Sequence, residues 1–402
     1  MTGESVQAVS GVKKDMEMNM AGHKRKITKR QRKKRKIILV IVEIIILVVL
    51  LVGLFFSSKL NLIQRIALDD SRIQKADLDE ETKKMLHGYT DIAMFGLDNR
   101  DIDNYGHGNS DVIMIFSINN ETEEIRMVSV YRDTYLEVSD VDDPDTAFSK
   151  ANSAYARGGA ERAVSMLNKN LDLDIDEYVT FDFSAVADAI DILGGVEVEI
   201  DEAEAEWMPT YIENTGKILG RESEIISTPG TYNLDGIQAV AYSRIRYTAG
   251  NDYKRAERQR LVFSKMMAKA KKADLGTLTK LMDTVFPNIS TSLSQSQMLS
   301  MVRLMLGYDL SNSRGFPFHK TTVKIRGADS VIPCDLVTNV SELHEYLYDE
   351  TEYQPSQKVQ NYNTQIISES GKTAEDAVDD EFSESDDFTG SGSDSDSSNT
   401  ED

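Results

Sequence analysis

The stretch that decides the fold runs from Asp91 to Asp133, DIAMFGLDNRDIDNYGHGNSDVIMIFSINNETEEIRMVSVYRD. DIAMFGLD (Asp91–Asp98) is a short apolar run closed by polar residues, the pattern of a buried strand. DVIMIFSIN (Asp111–Asn119) and IRMVSVYR (Ile125–Arg132) flank the polar loop NETEE and predict a β-hairpin. Further along, Ala163, Val164 and Leu167 fall at helical spacing within Ala160–Asn168. EYVTFD (Glu177–Asp182) reads as a strand. Phe183–Leu193 reads as a helix closed by Gly194–Gly195. VEVEI (Val196–Ile200) alternates as a half-buried strand, and the acidic run EVEIDEAEAE (Glu197–Glu206) reads as its solvated edge. Asn251 or Asp252 caps a long helix reaching Lys272, and Gln295–Leu306 is a further amphipathic helix. Strands and helices alternating in this way predict an α/β fold, an α/β/α sandwich with a mixed central β-sheet.

The ends of the chain differ from this middle. Residues 1–36 carry a net charge of +9, so the remainder holds −31 of a total of −22. Ile37–Phe56, IILVIVEIIILVVLLVGLFF, is about twenty residues long and almost wholly apolar, enough to span ~30 Å of hydrocarbon. No cleavage site follows it, so it reads as a permanent anchor. The basic run KRKITKRQRKKRK (Lys24–Lys36) before it keeps the N-terminus cytoplasmic and is attracted to anionic lipid; nucleic acid is not its expected partner. The predicted organisation is a basic cytoplasmic arm (1–36), a transmembrane helix (37–56), a stalk (57–90), a catalytic domain (91–349) and an acidic, Ser/Asp-rich disordered tail (350–402). Cys334 is the only cysteine, which excludes an intramolecular disulfide and suits a Gram-positive type of envelope. No HExxH, GxSxG, P-loop or dinucleotide fingerprint occurs, which excludes the enzyme classes built on them.

A set of strong polar residues falls at the ends of the predicted elements. Asp98 closes one strand and Arg100 follows it. Asp111 opens the next, and Arg132 and Asp133 end the hairpin. Lys150 and Asn152 precede the pair Gly158–Gly159. Arg244, Arg246, Arg255, Arg258 and Gln259 crowd the segment YSRIRYTAGNDYKRAERQ (Tyr242–Gln259). Guanidinium forks match phosphate oxygens, and Arg255 and Gln259 share a helical face near a helix N-terminus, where an anion is favoured. Asp98 and Asp111 offer the hard oxygens that Mg²⁺ takes when phosphate and water complete its shell. Together these residues describe a diphosphate–Mg²⁺ site. Tyr242 and Tyr247 read as packing residues.

The order LDNR (Leu97–Arg100), NSD (Asn109–Asp111), SVYRDT (Ser129–Thr134), KANSAYARGG (Lys150–Gly159), DILGGVEV (Asp191–Val198), LDGIQAVAYSRIR (Leu234–Arg246) and DYKRAERQ (Asp252–Gln259) resembles the LytR–CpsA–Psr family over roughly residues 88–307. The resemblance implies transfer of an anionic glycopolymer, such as teichoic acid or capsule polysaccharide, from undecaprenyl diphosphate to peptidoglycan, with an apolar channel for the polyprenyl tail. It implies Asp98 and Asp111 as Mg²⁺ ligands. It implies Arg100, Arg132, Lys150, Arg244, Arg246, Arg255 and Gln259 as the diphosphate clamp, and Asp252 beside it as a base for the acceptor hydroxyl. The family usually has proline before the Arg-Asp pair, where this chain has Tyr131, and isoleucine where KANSAY has alanine. Two alternatives stand beside transfer: a membrane-tethered regulator of the transcriptional attenuator type, and a protein that binds or hydrolyses the polyprenyl diphosphate carrier.

Overall fold

Near-continuous apolar runs along the buried strands build a sheet with two apolar faces, which needs cover on both sides. The computed structural model describes Leu47 and residues 53–98, 108–144, 147–248, 251–307 and 313–378. From Lys59 onward these form one unit. Its strands are β1 (Gln64–Arg65), β2 (Tyr89–Leu97), β3 (Ser110–Asn119), β4 (Ile125–Val130), β5 (Tyr135–Glu137), β6 (Phe148–Lys150), β7 (Glu177–Asp182), β8 (Val196–Ile200), β9 (Gly230–Leu234), β10 (Ile289–Thr291), β11 (Ser313–Phe316), β12 (Lys320–Ile325) and β13 (Ala328–Pro333). Its helices are α1 (Glu80–Leu86), α2 (Asn152–Leu171), α3 (Phe183–Ile192), α4 (Glu202–Leu219), α5 (Gly236–Arg244), α6 (Asn251–Ala270), α7 (Leu275–Val285), α8 (Gln295–Gly307), α9 (Leu336–Tyr348) and α10 (Gln357–Ser370).

Seven strands form the central sheet in the order β1-β10-β7-β2-β3-β4-β11. The β2–β3–β4 meander is antiparallel, whereas β7 joins β2 and β11 joins β4 in parallel. On one face Phe95, Ile113, Ile115 and Val128 pack with α2 and α9. On the other, Ile92, Met114, Phe116 and Met127 meet Phe263 of α6 and Met298 of α8. A second core, beside the sheet, joins the antiparallel β8–β9 pair to α4 and α5.

Three expectations need correction. The predicted stalk, residues 57–90, is part of the fold from Lys59: β1 pairs with β10, and Leu60, Ala76, Leu78 and Leu86 are buried. The predicted tail is folded as far as residue 378. Val359 and Ile366 of α10 are fully buried in the main core, and Val378 N–H donates to Lys320 O at 2.9 Å. Composition averaged over 350–402 hid this short amphipathic helix among the acidic residues beyond it. Glu197–Glu206 is not one strand edge: β8 ends at Ile200, and Asp201 caps α4 with a reciprocal bond to Glu204. The predicted transmembrane segment 37–56 lies outside the described residues except for Leu47 and 53–56, as does the basic arm. Among the described residues no helix is long and apolar enough to cross a membrane.

Candidate functional site

The adjacent ends of β2 and β3 create the site. Leu97 pairs with Ser110, so Asp98 and Asp111 leave neighbouring strands at the same edge. Gly96 permits the close approach; a Cβ there would lie 2.9 Å from the Val112 Cβ. The turn after β4 brings in Arg132 and Asp133. It is fixed by Thr134 Oγ1 donating to Tyr131 O at 2.7 Å and by Asn152 N–H donating to Arg132 O at 3.0 Å. The first turns of α6 add Asp252, Arg255 and Gln259 from the other side.

These groups converge on Asp111. Arg132 Nη1 donates to Asp111 Oδ1 at 2.5 Å, and Arg255 Nη2 lies 3.1 Å from Oδ2. Arg255 Nη2 and Gln259 Nε2 also donate to the Asp111 carbonyl, at 2.8 and 3.3 Å. Burial opposes ionisation of Asp111, but Arg255 and Arg132 outweigh it and hold the carboxyl below its ordinary pKa. Asp252 Oδ1 sits 3.5 Å from Arg255 Nη1 and 3.7 Å from Arg132 Nε. Burial, reinforced by Asp133, pushes its pKa up against both arginines. Around Asp133, Lys150 Nζ lies at 3.1 Å and Arg246 Nη2 donates at 2.9 Å. Arg244 Nη2 donates to Asp98 at 3.1 Å and adds to the positive field at Asp111.

Thus Asp98, Asp111, Arg132, Lys150, Arg244, Arg246, Asp252, Arg255 and Gln259 meet in one cluster. Arg100 lies outside the described residues. Arg258 does not join it: its guanidinium is held by Glu204 Oε1 at 2.7 Å, Ile245 O at 3.0 Å and Thr248 Oγ1 at 2.7 Å. Asp133, given no role above, links Lys150 and Arg246 to the cluster; its place next to Arg132 was the only sequence signal. Tyr242 is buried as expected, whereas Tyr247 is 67% exposed and lies outside the buried core. Its neighbours in sequence are the polar Arg246 and Thr248.

Five cationic side chains therefore face four carboxylates, and Asp252 is pushed toward its neutral form. Arg132 Nε, Arg255 Nε and Asp252 Oδ1 are buried without a hydrogen-bond partner. Orphaned buried donors are costly and mark a place where a ligand completes the bonding. Beside the cluster an apolar cavity of about 190 Å³ is lined by Met94, Met114, Phe181, Val262 and Phe263, with Gln259 at its polar margin. Among the described residues no three His, Cys, Asp or Glu side chains group as a metal cage. Asp98 and Asp111, with Asp111 held ionised, fit Mg²⁺ in the mode where one or two carboxylates bind and phosphate supplies the remaining oxygens.

A model of the LytR_cpsA_psr family matches residues 59–336. The chain belongs to this family. It is 31% identical over 207 residues to Biofilm regulatory protein A of Streptococcus mutans, covering 50% of this chain and 48% of that protein. It is 28% identical over 209 residues to polyisoprenyl-teichoic acid–peptidoglycan teichoic acid transferase TagU of Enterococcus faecalis, covering 52% and 62%. The chain thus matches about half to three-fifths of the length of these curated relatives. Among solved structures, protein gbs0355 from Streptococcus agalactiae aligns with a TM-score of 0.54 at 23% identity, over 70% of this chain and 93% of that one. TagT bound to LI-WTA aligns at 0.50 and 21%, over 76% and 100%. The mixed α/β fold with its large mixed sheet is therefore that of LytR–CpsA–Psr proteins. Within this family frame Tyr131, in place of the usual proline, donates its N–H to Phe316 O at 2.9 Å. Proline has no such donor, so the departure ties β4 to β11 and leaves Arg132 in place.

Proposed function

We propose that this chain is a phosphotransferase that attaches an anionic glycopolymer, of the teichoic acid or capsular class, to peptidoglycan from a polyprenyl diphosphate carrier. The observation that carries this reading is the convergence of Arg132 and Arg255, each with an orphaned Nε, on Asp111 beside an apolar cavity. The names of TagU of Enterococcus faecalis and TagV of Bacillus subtilis, both teichoic acid transferases, support it.

In the proposed reaction the diphosphate lies among the arginines and its prenyl chain enters the cavity. The oxygen of a peptidoglycan hydroxyl attacks the phosphorus that bears the polymer. The bond from that phosphorus to the bridging oxygen breaks, and polyprenyl monophosphate leaves with the electron pair. Asp252 takes the proton of the hydroxyl, a task suited to a carboxylate with a raised pKa. Arg132 and Arg255 stabilise the charge that grows on the leaving phosphate. Asp98 and Asp111 would hold Mg²⁺, which when bound neutralises the diphosphate. Ile37–Phe56 anchors the chain once through the cell membrane with the N-terminus inside, which puts the site on the outer face.

The similarity to a protein named as a biofilm regulator favours a second reading, a membrane-tethered regulator. Both are tested with full-length protein in detergent, given lipid-linked polymer and peptidoglycan. Arg132→Ala and Asp111→Ala should each slow polymer attachment by on the order of 10²-fold or more. Wild-type rates in both variants would reject the proposal and leave the regulator. Release of polyprenyl phosphate without attachment would show hydrolysis instead.

A further inference from the structure

The apolar cavity and the arginine cluster account for the lipid and its phosphates, but not for the sugar that must lie against them. Next to Arg246 in the chain, the Tyr247 ring stacks obliquely with Trp207 of α4. Their centroids are 4.9 Å apart and the planes are inclined by 42°. Trp207 is half-buried against the second core, whereas Tyr247 is 67% exposed. A lone exposed aromatic needs no explanation; this one is paired, and the chain beneath it is fixed at several points. Arg246 N–H donates to Tyr211 Oη at 3.2 Å, one turn along α4 from Trp207. Arg258 of α6 holds Ile245 O and Thr248 Oγ1 on either side and is itself anchored by Glu204 of α4. The segment 245–248 is thus clamped between two helices with one aromatic face turned outward, while the neighbouring Arg246 side chain reaches Asp133 in the charged cluster.

A rigid aromatic face one residue from a phosphate-binding arginine suits a ring whose C–H face is apolar and whose edge is polar. We propose that Trp207 and Tyr247 form a stacking platform for a pyranose ring at the diphosphate site. The assignment rests on the transfer reading and names where that reaction's sugar sits. Two sugars share this chemistry: the one that bears the transferred phosphate, and the acceptor sugar of the glycan strand. Arg258 is a positioning residue in this scheme, since it holds the backbone of the platform without facing the phosphates.

Trp207 is the only tryptophan in the chain, so its emission reports this place alone. Full-length protein in detergent is titrated with three probes: a polyprenyl diphosphate carrying one sugar, the same lipid without sugar, and an oligosaccharide of peptidoglycan. Native mass spectrometry follows binding of the bare lipid in parallel. The proposal expects Trp207 emission to shift with at least one sugar-bearing probe and not with the bare lipid. Tyr247→Ala should weaken that response roughly tenfold, about the contribution of one stacked ring, while Tyr247→Phe retains it. Tyr247 is exposed, so its loss does not endanger folding. A shift with the sugar-bearing lipid alone identifies the donor sugar; a shift with the oligosaccharide alone identifies the acceptor. If neither shifts the emission, or if Tyr247→Ala leaves the response unchanged, the platform is wrong. If the bare lipid fails to bind, the transfer reading fails, while the oligosaccharide arm still decides the platform.

Discussion

Asp91 and Asp111 lie on neighbouring strands at opposite ends of the β2–β3 pair, and each is a carboxyl taken out of water. Asp91 meets the Tyr348 hydroxyl, which donates to it at 2.6 Å, and burial pushes its pKa up to about 6. Asp111 meets two guanidiniums, and its pKa falls. Burial acts in the same direction on both; the partner decides the outcome. Around Asp91 the polar groups meet neutral partners of the fold, although Asp91 Oδ1, Ser117 Oγ and His344 Nδ1 have no hydrogen-bond partner. His344 stacks on Tyr353 at 3.7 Å, and Asp172 accepts from Tyr353, from Ser356 N–H and from Ser356 Oγ. Around Asp111 cations outnumber carboxylates and three buried atoms lack partners. One end of the sheet gives its buried carboxyl a neutral partner, and the other gathers cations in an arrangement suited to an anion.

The comparison breaks most readily at Asp252. As the base it must be ionised, and its raised pKa means that it stays protonated to a higher pH than an ordinary carboxyl. Arg255, Arg132 and Arg246 favour ionisation, while burial and Asp133 oppose it. The transfer rate should therefore rise with pH through this raised value. Asp252→Asn should lower the rate by roughly 10²–10⁴-fold and flatten that limb; an unchanged pH profile in the variant would remove Asp252 from the mechanism.

Ile366 tests the main core instead of the charged cluster. Ile366→Ala deletes a fully buried side chain of α10 and should cost about 2–5 kcal/mol of stability, read from urea unfolding. A shift near zero would mean that α10 adds little to the core.

The smallest effect sharpens the contrast. Protonation of Asp91 favours the folded state. The stability it contributes is full below about pH 4 and is lost as pH rises toward about 6. Asp91→Asn should stabilise the chain at pH 8 by on the order of 1–3 kcal/mol, have little effect at pH 4, and leave transfer intact. Destabilisation at pH 8 would show that the ionised carboxylate is a structural need.

Much of this arrangement was legible in the sequence. Apolar runs bounded by polar residues and the loop NETEE revealed the β2–β3–β4 strands, and EYVTFD and VEVEI match β7 and β8 residue for residue. Charged residues at element ends revealed the cluster, because a fold rarely gathers like charges without a ligand between them. The signal failed where a motif's neighbourhood misled. Arg258 shares a helix face with catalytic candidates but serves α4, a partner known only from tertiary packing. The β12–β13 hairpin carries mixed polar residues without clean alternation. Its place in the fold is marked by Val331 N–H donating to Asp133 O at 2.9 Å, a contact across about two hundred residues of sequence.

The central claim is that the Arg132–Arg255 cluster is built for a diphosphate on a prenyl chain. Equilibrium binding of a polyprenyl diphosphate and of the matching polyprenyl alcohol to full-length protein in detergent, with Arg132→Ala alongside, tests it directly. The account predicts tight one-to-one binding of the diphosphate, at least tenfold weaker binding of the alcohol, and a similar loss in the variant. Equal affinity for the alcohol and the diphosphate, unaltered by Arg132→Ala, would contradict it.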